Sequence, residues 1–190
     1  MKKPLILASE SPQRKQILKK LGVPFVAIPA RIDEHYSGLS RPFAVARRIA
    51  LRKAETVAQR YPHDWILGCD TIVVLPNAEI AGKPKSRADA KRVLSLYRNA
   101  HCDVYSGLAL VNKLLNKKFV QYAKTRIHFR EIDAAEIKRY LDSGDWYGRS
   151  GSLTIETADK KGWIRKIAGD YWNVVGLPVL LLRKMLKRIE

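Results

Sequence analysis

The chain has 190 residues, 46% hydrophobic and 28% charged, enough for one ordinary globular domain that buries roughly 70% of its unfolded surface. With 36 Lys and Arg against 18 Asp and Glu it carries a formal net charge of +18, which draws anionic partners to the surface but names none of them. The longest apolar stretch, residues 174–182, contains Pro178 and falls far short of the ~20 residues of a membrane span.

The apolar run at 4–8 is too short for a secretory core. Cys69 and Cys102 show no CxxC spacing, so neither a disulfide framework nor a structural zinc site is expected. A cytoplasmic protein with no membrane association is the expectation. The cations fall as doublets along the whole chain, with no basic tail. They read either as solvated faces or as the grip on a polyanion.

In chain order, 4–8 reads as a short buried strand. Ser11 and Pro12 then start a helix, Ser as N-cap and Pro at the first helical position, with Ile17, Leu18 and Leu21 facing inward and Gly22 ending it. Residues 24–29 are extended. Ser40-Arg-Pro42 opens a longer helix to about Arg60, and 65–75 is a strand run. Ser86 with Asp89, and Asp133 with Glu136, have capping-box spacing for helices to about Tyr97 and Leu141. Between them lie two long strands, 103–111 and 119–129, antiparallel across the turn at 112–118. Short strands at 153–156 and 163–168 follow, and a last helix begins after Pro178. Alternating elements with no linker or internal repeat predict a single mixed α/β domain over residues 1–190.

Three places in this pattern conflict with simple burial rules. Arg14 and Lys15 stand in the first turn of the first helix, where the helix N-terminus already carries about half a positive charge. An anion bound there relieves the repulsion; otherwise the two side chains swing into water. Asp70 sits inside the apolar run Trp65-Ile-Leu-Gly-Cys-Asp-Thr-Ile-Val-Val-Leu75, where an ionised carboxylate needs a partner or a metal, unless it closes a shorter strand at a bend. Lys53 falls on the apolar flank of the second helix with Ala46, Ile49, Ala50 and Val57, either snorkelling or reaching a buried anion. Asp33-Glu34 adds carboxylates that can share a hard cation, and Lys83, between Gly82 and Pro84, is either aimed at a ligand or exposed. Arg14, Lys53 and Lys83 with Glu34 and Asp70 suit the holding of a polyphosphate and a divalent ion while water attacks.

These motifs resemble the Maf family of nucleoside triphosphate pyrophosphatases. The resemblance runs from Leu5-Ile-Leu-Ala-Ser-Glu-Ser-Pro-Gln-Arg14 through Arg31-Ile-Asp-Glu34, Lys53-Ala54, Cys69-Asp-Thr-Ile-Val-Val74, Gly82-Lys-Pro84 and Val104-Tyr-Ser-Gly107 to Asn173-Val-Val-Gly-Leu-Pro178. It implies an elongated mixed sheet with flanking helices and a cleft between two lobes, shared with inosine triphosphate pyrophosphatases, and commonly a homodimer. The implied activity is hydrolysis of a nucleoside triphosphate to monophosphate and pyrophosphate, dependent on Mg²⁺ or Mn²⁺ and serving to remove non-standard or modified nucleotides. By the same resemblance Asp70 is the catalytic carboxylate, either as proton acceptor or as metal ligand, and Glu34 helps hold the metal. Ser9, Arg14, Lys53 and Lys83 match phosphate-binding positions, and Thr71 matches one linked to base selection.

Three positions depart from the family pattern. Gln13 stands where the branch acting on thymidine and uridine triphosphates often has Arg. Arg149 replaces a lysine in the phosphate region and keeps its charge in a different shape. Glu156 replaces a glutamine, and an ionised carboxylate only accepts hydrogen bonds where the amide also donates. A branch resembling 7-methylguanosine triphosphate pyrophosphatases shares that Glu but often has Trp at the position of Gln13, so the base stays open. Two rivals to an active enzyme are a catalytically weak nucleotide sensor and a basic nucleic-acid-binding protein. No recognised nucleic-acid motif supports the second.

Overall fold

A computed structural model describes residues 3–34 and 41–189. The elements are β1 (Leu5–Leu7), α1 (Pro12–Lys20), β2 (Phe25–Ala27), α2 (Pro42–Ala58), β3 (Ile66–Val74), α3 (Arg87–Leu96), β4 (His101–Asn112), β5 (Lys117–Phe129), α4 (Ala134–Ser143), a 3₁₀ turn (Ser150–Ser152), α5 (Ile155–Lys160), β6 (Ile164–Ala168), α6 (Tyr171–Val175) and α7 (Val179–Leu186). The strands form one six-stranded sheet in the order β2-β1-β3-β4-β5-β6. β1 is parallel to β2 and to β3, whereas β5 and β6 are antiparallel. The sheet is therefore mixed, as expected. Only four residues join β4 to β5, too few for a parallel crossover, so that pair is antiparallel too.

The chain divides into two compact units, the first made of the stretch up to Thr71, Tyr105–Lys124 and the stretch from Trp172 onward, the second of Ile72–Val104 and Thr125–Tyr171. In the first unit the two-residue period of the strands sorts side chains between two cores. Leu5, Leu7, Leu67, Cys69, Leu108 and Leu110 pack with Ile17 and Leu18 of α1 and with Val179, Leu182, Met185 and Leu186 of α7. The alternate residues Ile6, Ala8, Ile66, Ala109 and Val111 pack with Ala50, Ala54, Val57 and Ala58 of α2. Helices α1 and α2 thus cover opposite faces of the β2-β1-β3 segment.

In the second unit the expected cap of α4 is complete. Asp133 accepts from the backbone N–H of Glu136, and the Glu136 carboxylate accepts from that of Asp133. Arg130 and the Trp163 indole also donate to Glu136, and the guanidinium bonds hold its carboxyl well below the usual range, at about 2. Tyr97 stacks on Phe129 with ring centroids 4.7 Å apart, and Tyr140 meets Trp163 edge-on. At α3 only half of the expected box forms: Ser86 caps Asp89 N–H, but the Asp89 carboxylate accepts from Lys85 N–H instead.

The strand expected at 153–156 is absent. Thr154 there caps α5 by accepting from the N–H of Thr157, and this local bond outweighs the short apolar alternation that suggested a strand. Helix α6 is not among the expected elements: its five residues make little more than one turn, too few to show a helical period, even though Asp170 stands before it as an N-cap residue type. Ser40, read as part of the entry to α2, lies outside the described residues; Arg41 occupies the N-cap with no side-chain bond.

Two glycines set how closely α2 approaches the sheet. A Cβ at Gly68 of β3 falls 2.0 Å from the Ala50 carbonyl oxygen, and one at Gly107 of β4 falls 2.2 Å from that of Ala46. Both obstacles are helix backbone, which cannot swing aside. Gly68→Ala is accordingly expected to destabilise the protein by about 3 kcal/mol in urea unfolding. Gly82→Ala, where a Cβ meets nothing within 4 Å, is expected to change stability by less than about 1 kcal/mol. Equal effects at the two positions contradict the close approach of α2.

Candidate active site

The topology of the first unit marks out one place. From β1 the chain passes through α1 to β2, and from β2 through α2 to β3, with the two helices on opposite faces. In parallel sheets the crevice beyond the carboxyl ends of the strands at such a switch point is the usual ligand site. Leu7 is in register with Leu67, so β1 ends before its neighbour does. Ser9 follows the end of β1, while Asp70 and Thr71 lie farther along β3.

Alternation within β3 gives Asp70 and Thr71 opposite tasks. Asp70 shares the face of Ile66 and Gly68, towards α2. There Lys53 Nζ lies 2.9 Å from Asp70 Oδ1 and 2.8 Å from Glu34 Oε1. The Lys53 side chain is 9% exposed and that of Asp70 3%, while that of Glu34 is 41% exposed. Lys53 on the apolar flank of α2 therefore reaches a buried anion instead of snorkelling, and Asp70 is mid-strand, not at a bend. The second oxygen, Asp70 Oδ2, is buried and has no hydrogen-bond partner among the described residues. An ionised carboxylate with one oxygen satisfied and one bare is costly unless a further ligand arrives.

Thr71 faces α1 and α7. Arg14, in the first turn of α1, donates from Nη2 to Thr71 Oγ1 at 3.3 Å, from Nη1 to Ser9 Oγ at 3.0 Å and from Nε to the Gly176 carbonyl at 3.0 Å. The guanidinium is thus folded over the end of β1 and does not swing into water. Thr71 Oγ1 also donates to the Gly176 carbonyl at 3.3 Å and lies 2.8 Å from Ser106 Oγ. Thr71 has a single hydroxyl proton; with that proton on Gly176, the buried Ser106 is the donor in the shorter contact. Burial pushes the Cys69 thiol up, so it stays protonated and donates to the same carbonyl at 3.4 Å.

Ser9, Arg14, Lys53, Thr71, Glu34 and Asp70 are thus brought together in the first unit. Gln13 is exposed on α1, and its side-chain oxygen accepts from Ser11 Oγ at 3.1 Å. Lys83, Arg149 and Glu156 belong to the second unit and are exposed. There Ser150 Oγ donates to the Ala81 carbonyl at 2.9 Å, and Gly151 N–H to that of Gly82 at 2.9 Å. Those bonds tether the segment that carries Arg149 to the one that carries Lys83. Glu156 stands in the first turn of α5. Residue-by-residue reading assigned no role to Ser106 or to the Gly176 carbonyl. Gly176 could have been flagged as the glycine before Leu-Pro, since its φ of +125° suits glycine best.

Glu34 and Asp70 fit a divalent cation: both are hard oxygen donors, they converge on one ammonium, and one Asp70 oxygen is bare. Among the described residues no group of three or more His, Cys, Asp or Glu side chains is arranged to hold a metal. A two-carboxylate set suits an ion that also binds water and substrate phosphates.

The buried pair makes a thermodynamic prediction. Removing one member of a buried ion pair strands the other charge and costs about 3–5 kcal/mol, whereas removing both costs far less. Lys53→Met is expected to destabilise the protein by about 3 kcal/mol at neutral pH in urea unfolding, and Lys53→Met with Asp70→Asn by less than half of that. Additive losses in this cycle contradict the pairing.

The chain is 36% identical to the dTTP/UTP pyrophosphatase of Dictyoglomus thermophilum, over 100% of this chain and 97% of that one. It is 38% identical to the dTTP/UTP pyrophosphatase of Symbiobacterium thermophilum, over 92% and 88%. Among solved structures, the Ham1 protein of Staphylococcus aureus superposes with a TM-score of 0.54 over 99% of this chain and 100% of that chain, at 13% identity, a likeness of fold alone. The family model described as Maf-like protein matches residues 4–189, and with the site above in place the chain belongs to that family.

Proposed function

We propose that this protein hydrolyses a nucleoside triphosphate to the monophosphate and pyrophosphate, removing unwanted nucleotides, with dTTP and UTP as first candidates because the relatives above carry those names. The observation that carries the reading is the bare Asp70 Oδ2 beside the Lys53 ammonium at the end of β1. It marks a place prepared for a group that brings positive charge or a proton.

The triphosphate enters as an anion at the N-terminus of α1, where Ser9 and the Arg14 guanidinium already form a hydrogen-bonded cradle and the helix dipole favours negative charge. Arg14 arrives pre-organised, so little side-chain entropy is lost on binding. Lys53 holds Asp70 in place. Asp70 Oδ2 accepts a proton from water as the water oxygen bonds to phosphorus and the bridge between the α and β phosphates breaks, releasing pyrophosphate. Glu34 and Asp70 would hold a Mg²⁺ or Mn²⁺ ion, which supplies neutralisation of charge on the phosphate oxygens. By the family resemblance Lys83 and Arg149 correspond to phosphate positions, and Gln13, Thr71 and Glu156 to positions that bear on the base. Glu156 accepts hydrogen bonds from a base but cannot donate, which favours bases presenting an amine or imide N–H.

Among the described residues no helix is long and apolar enough to cross a membrane. A cytoplasmic location, expected from the cysteine pattern, and a homodimer, implied by the family resemblance, are part of the same reading.

Pyrophosphate release measured over a panel of triphosphates, with Mg²⁺ or Mn²⁺, tests the proposal. Turnover of at least one nucleotide is expected, lost on chelation and reduced a hundredfold or more, on the order of a general base's contribution, in Asp70→Asn. Tight nucleotide binding with no turnover on any member identifies a sensor and contradicts the enzyme reading, as does an Asp70→Asn protein as active as its parent.

A further inference from the structure

The charge of +18 exceeds what a triphosphate site needs, and it is unevenly compensated. Some surface cations are matched to carboxylates: Arg92 to Glu79, Arg98 to Glu131, Lys118 to Glu55 and Lys138 to Asp142. The layer formed by α1 and α7 differs. These helices pack side by side on one core of the first unit through Ile17, Leu18, Val179, Leu182 and Met185. Outward they present the exposed Lys19, Lys20, Arg183, Lys184, Lys187 and Arg188. No Asp or Glu occurs in residues 11–32 or 171–189, and among the described residues none of the six is paired with a carboxylate. Lys20 instead lies over the Trp172 ring and Arg188 over that of Phe119, each 5.4 Å from the centroid.

Six like charges gathered at the C-terminal ends of these two helices repel one another; the helix dipoles offset part of this at Lys19, Lys20, Arg183 and Lys184, and a bound polyanion would offset the rest. Three features narrow the occupant. A second copy of the chain would set six cations against six. The core takes Val179, Leu182, Met185 and Leu186 of α7, and Leu180 is its one exposed large apolar residue, which is no row of side chains to insert among lipid tails. The two aromatic rings here, Trp172 and Phe119, are partly buried in that core and lie beneath cations, so no open platform is offered for stacking unpaired bases. A regularly charged, rigid backbone with about one charge per 1.7 Å of axis suits such a face, and four of its cations, Arg183, Lys184, Lys187 and Arg188, fall within the last turn of α7 and the turn that follows it.

We propose that the outer face of α1 and α7 binds the phosphate backbone of double-stranded nucleic acid without sequence preference, a second function separate from the nucleotide site. The cations there displace counterions from the duplex and contact no base edges.

The test measures fluorescence anisotropy of a labelled DNA duplex of about 20 base pairs with the intact protein. Engagement of about five phosphates predicts a several-hundredfold loss of affinity between about 50 and 200 mM salt. The triple variant Lys19→Glu, Lys184→Glu, Lys187→Glu is expected to weaken binding at least tenfold while pyrophosphate release is unchanged. The matching Lys→Gln triple gives a smaller loss in the same direction and serves if the reversed charges impair folding. Arg92→Glu, Arg98→Glu, Lys138→Glu, which changes net charge equally at paired positions in the second unit, is expected to alter affinity less than twofold. Equal weakening by the two Glu triples overturns the proposal by showing a response to net charge alone. Unchanged duplex affinity in both α1/α7 variants overturns it too, as does tighter binding to phosphatidylserine vesicles than to duplex.

Discussion

The buried pair of Lys53 and Asp70 is the interaction around which the first unit is arranged. A lysine and an aspartate in an apolar core are each costly, and together they are tolerable only when held within hydrogen-bond distance. The backbone achieves this with two glycines. Gly68 and Gly107 remove the Cβ atoms that would hold α2 away from β3 and β4, so the Lys53 stem can reach across to Asp70. Among the described residues Asp70 Oδ2 has no donor. The cost of that bare oxygen is a reservoir that substrate and ion binding can draw down.

The second organising feature is that neighbouring residues of one strand look in opposite directions. Asp70 turns to α2 and the carboxylate of Glu34; Thr71 turns to α1, where Arg14, Ser106 and the Gly176 carbonyl meet it. A ligand beyond the end of β1 therefore meets acidic chemistry from one side and cationic, hydroxyl-rich chemistry from the other. This division follows from the two-residue period of a strand and the crossing of α1 and α2 to opposite faces. It explains why the Cys69-Asp-Thr71 run is so compact in sequence while its partners come from four separate segments.

Much of this was legible in the sequence because burial rules were visibly broken there. A carboxylate inside an apolar strand, a lysine on the apolar flank of a helix and cations at a helix N-terminus each announce an unmet electrostatic need, and the fold satisfies the first two with each other. The third is met by Ser9, Thr71 and Gly176, which the pattern did not foretell for lack of any local signature. Ser106 and Gly176 are separated from Thr71 by 35 and 105 positions, and a neutral hydroxyl or a carbonyl breaks no rule when read alone. The strand expected at 153–156 failed for the opposite reason: a one-residue cap at Thr154 decides the local structure, and apolar alternation over four residues cannot outweigh it. Capping signals served well elsewhere, at Ser11, Ser86 and Asp133.

The central claim is spatial: phosphates bind at the carboxyl end of β1, between the Arg14 cradle and the Lys53–Asp70 pair. A crystal structure of the protein with Mg²⁺ and a dTTP analogue whose α,β bridge oxygen is replaced by a non-hydrolysable group examines it most directly. The account predicts phosphate oxygens within hydrogen-bond distance of Ser9 and Arg14, and the ion bound between those oxygens and the carboxylates of Asp70 and Glu34. Phosphates lodged away from β1, with Asp70 Oδ2 still bare, would contradict it.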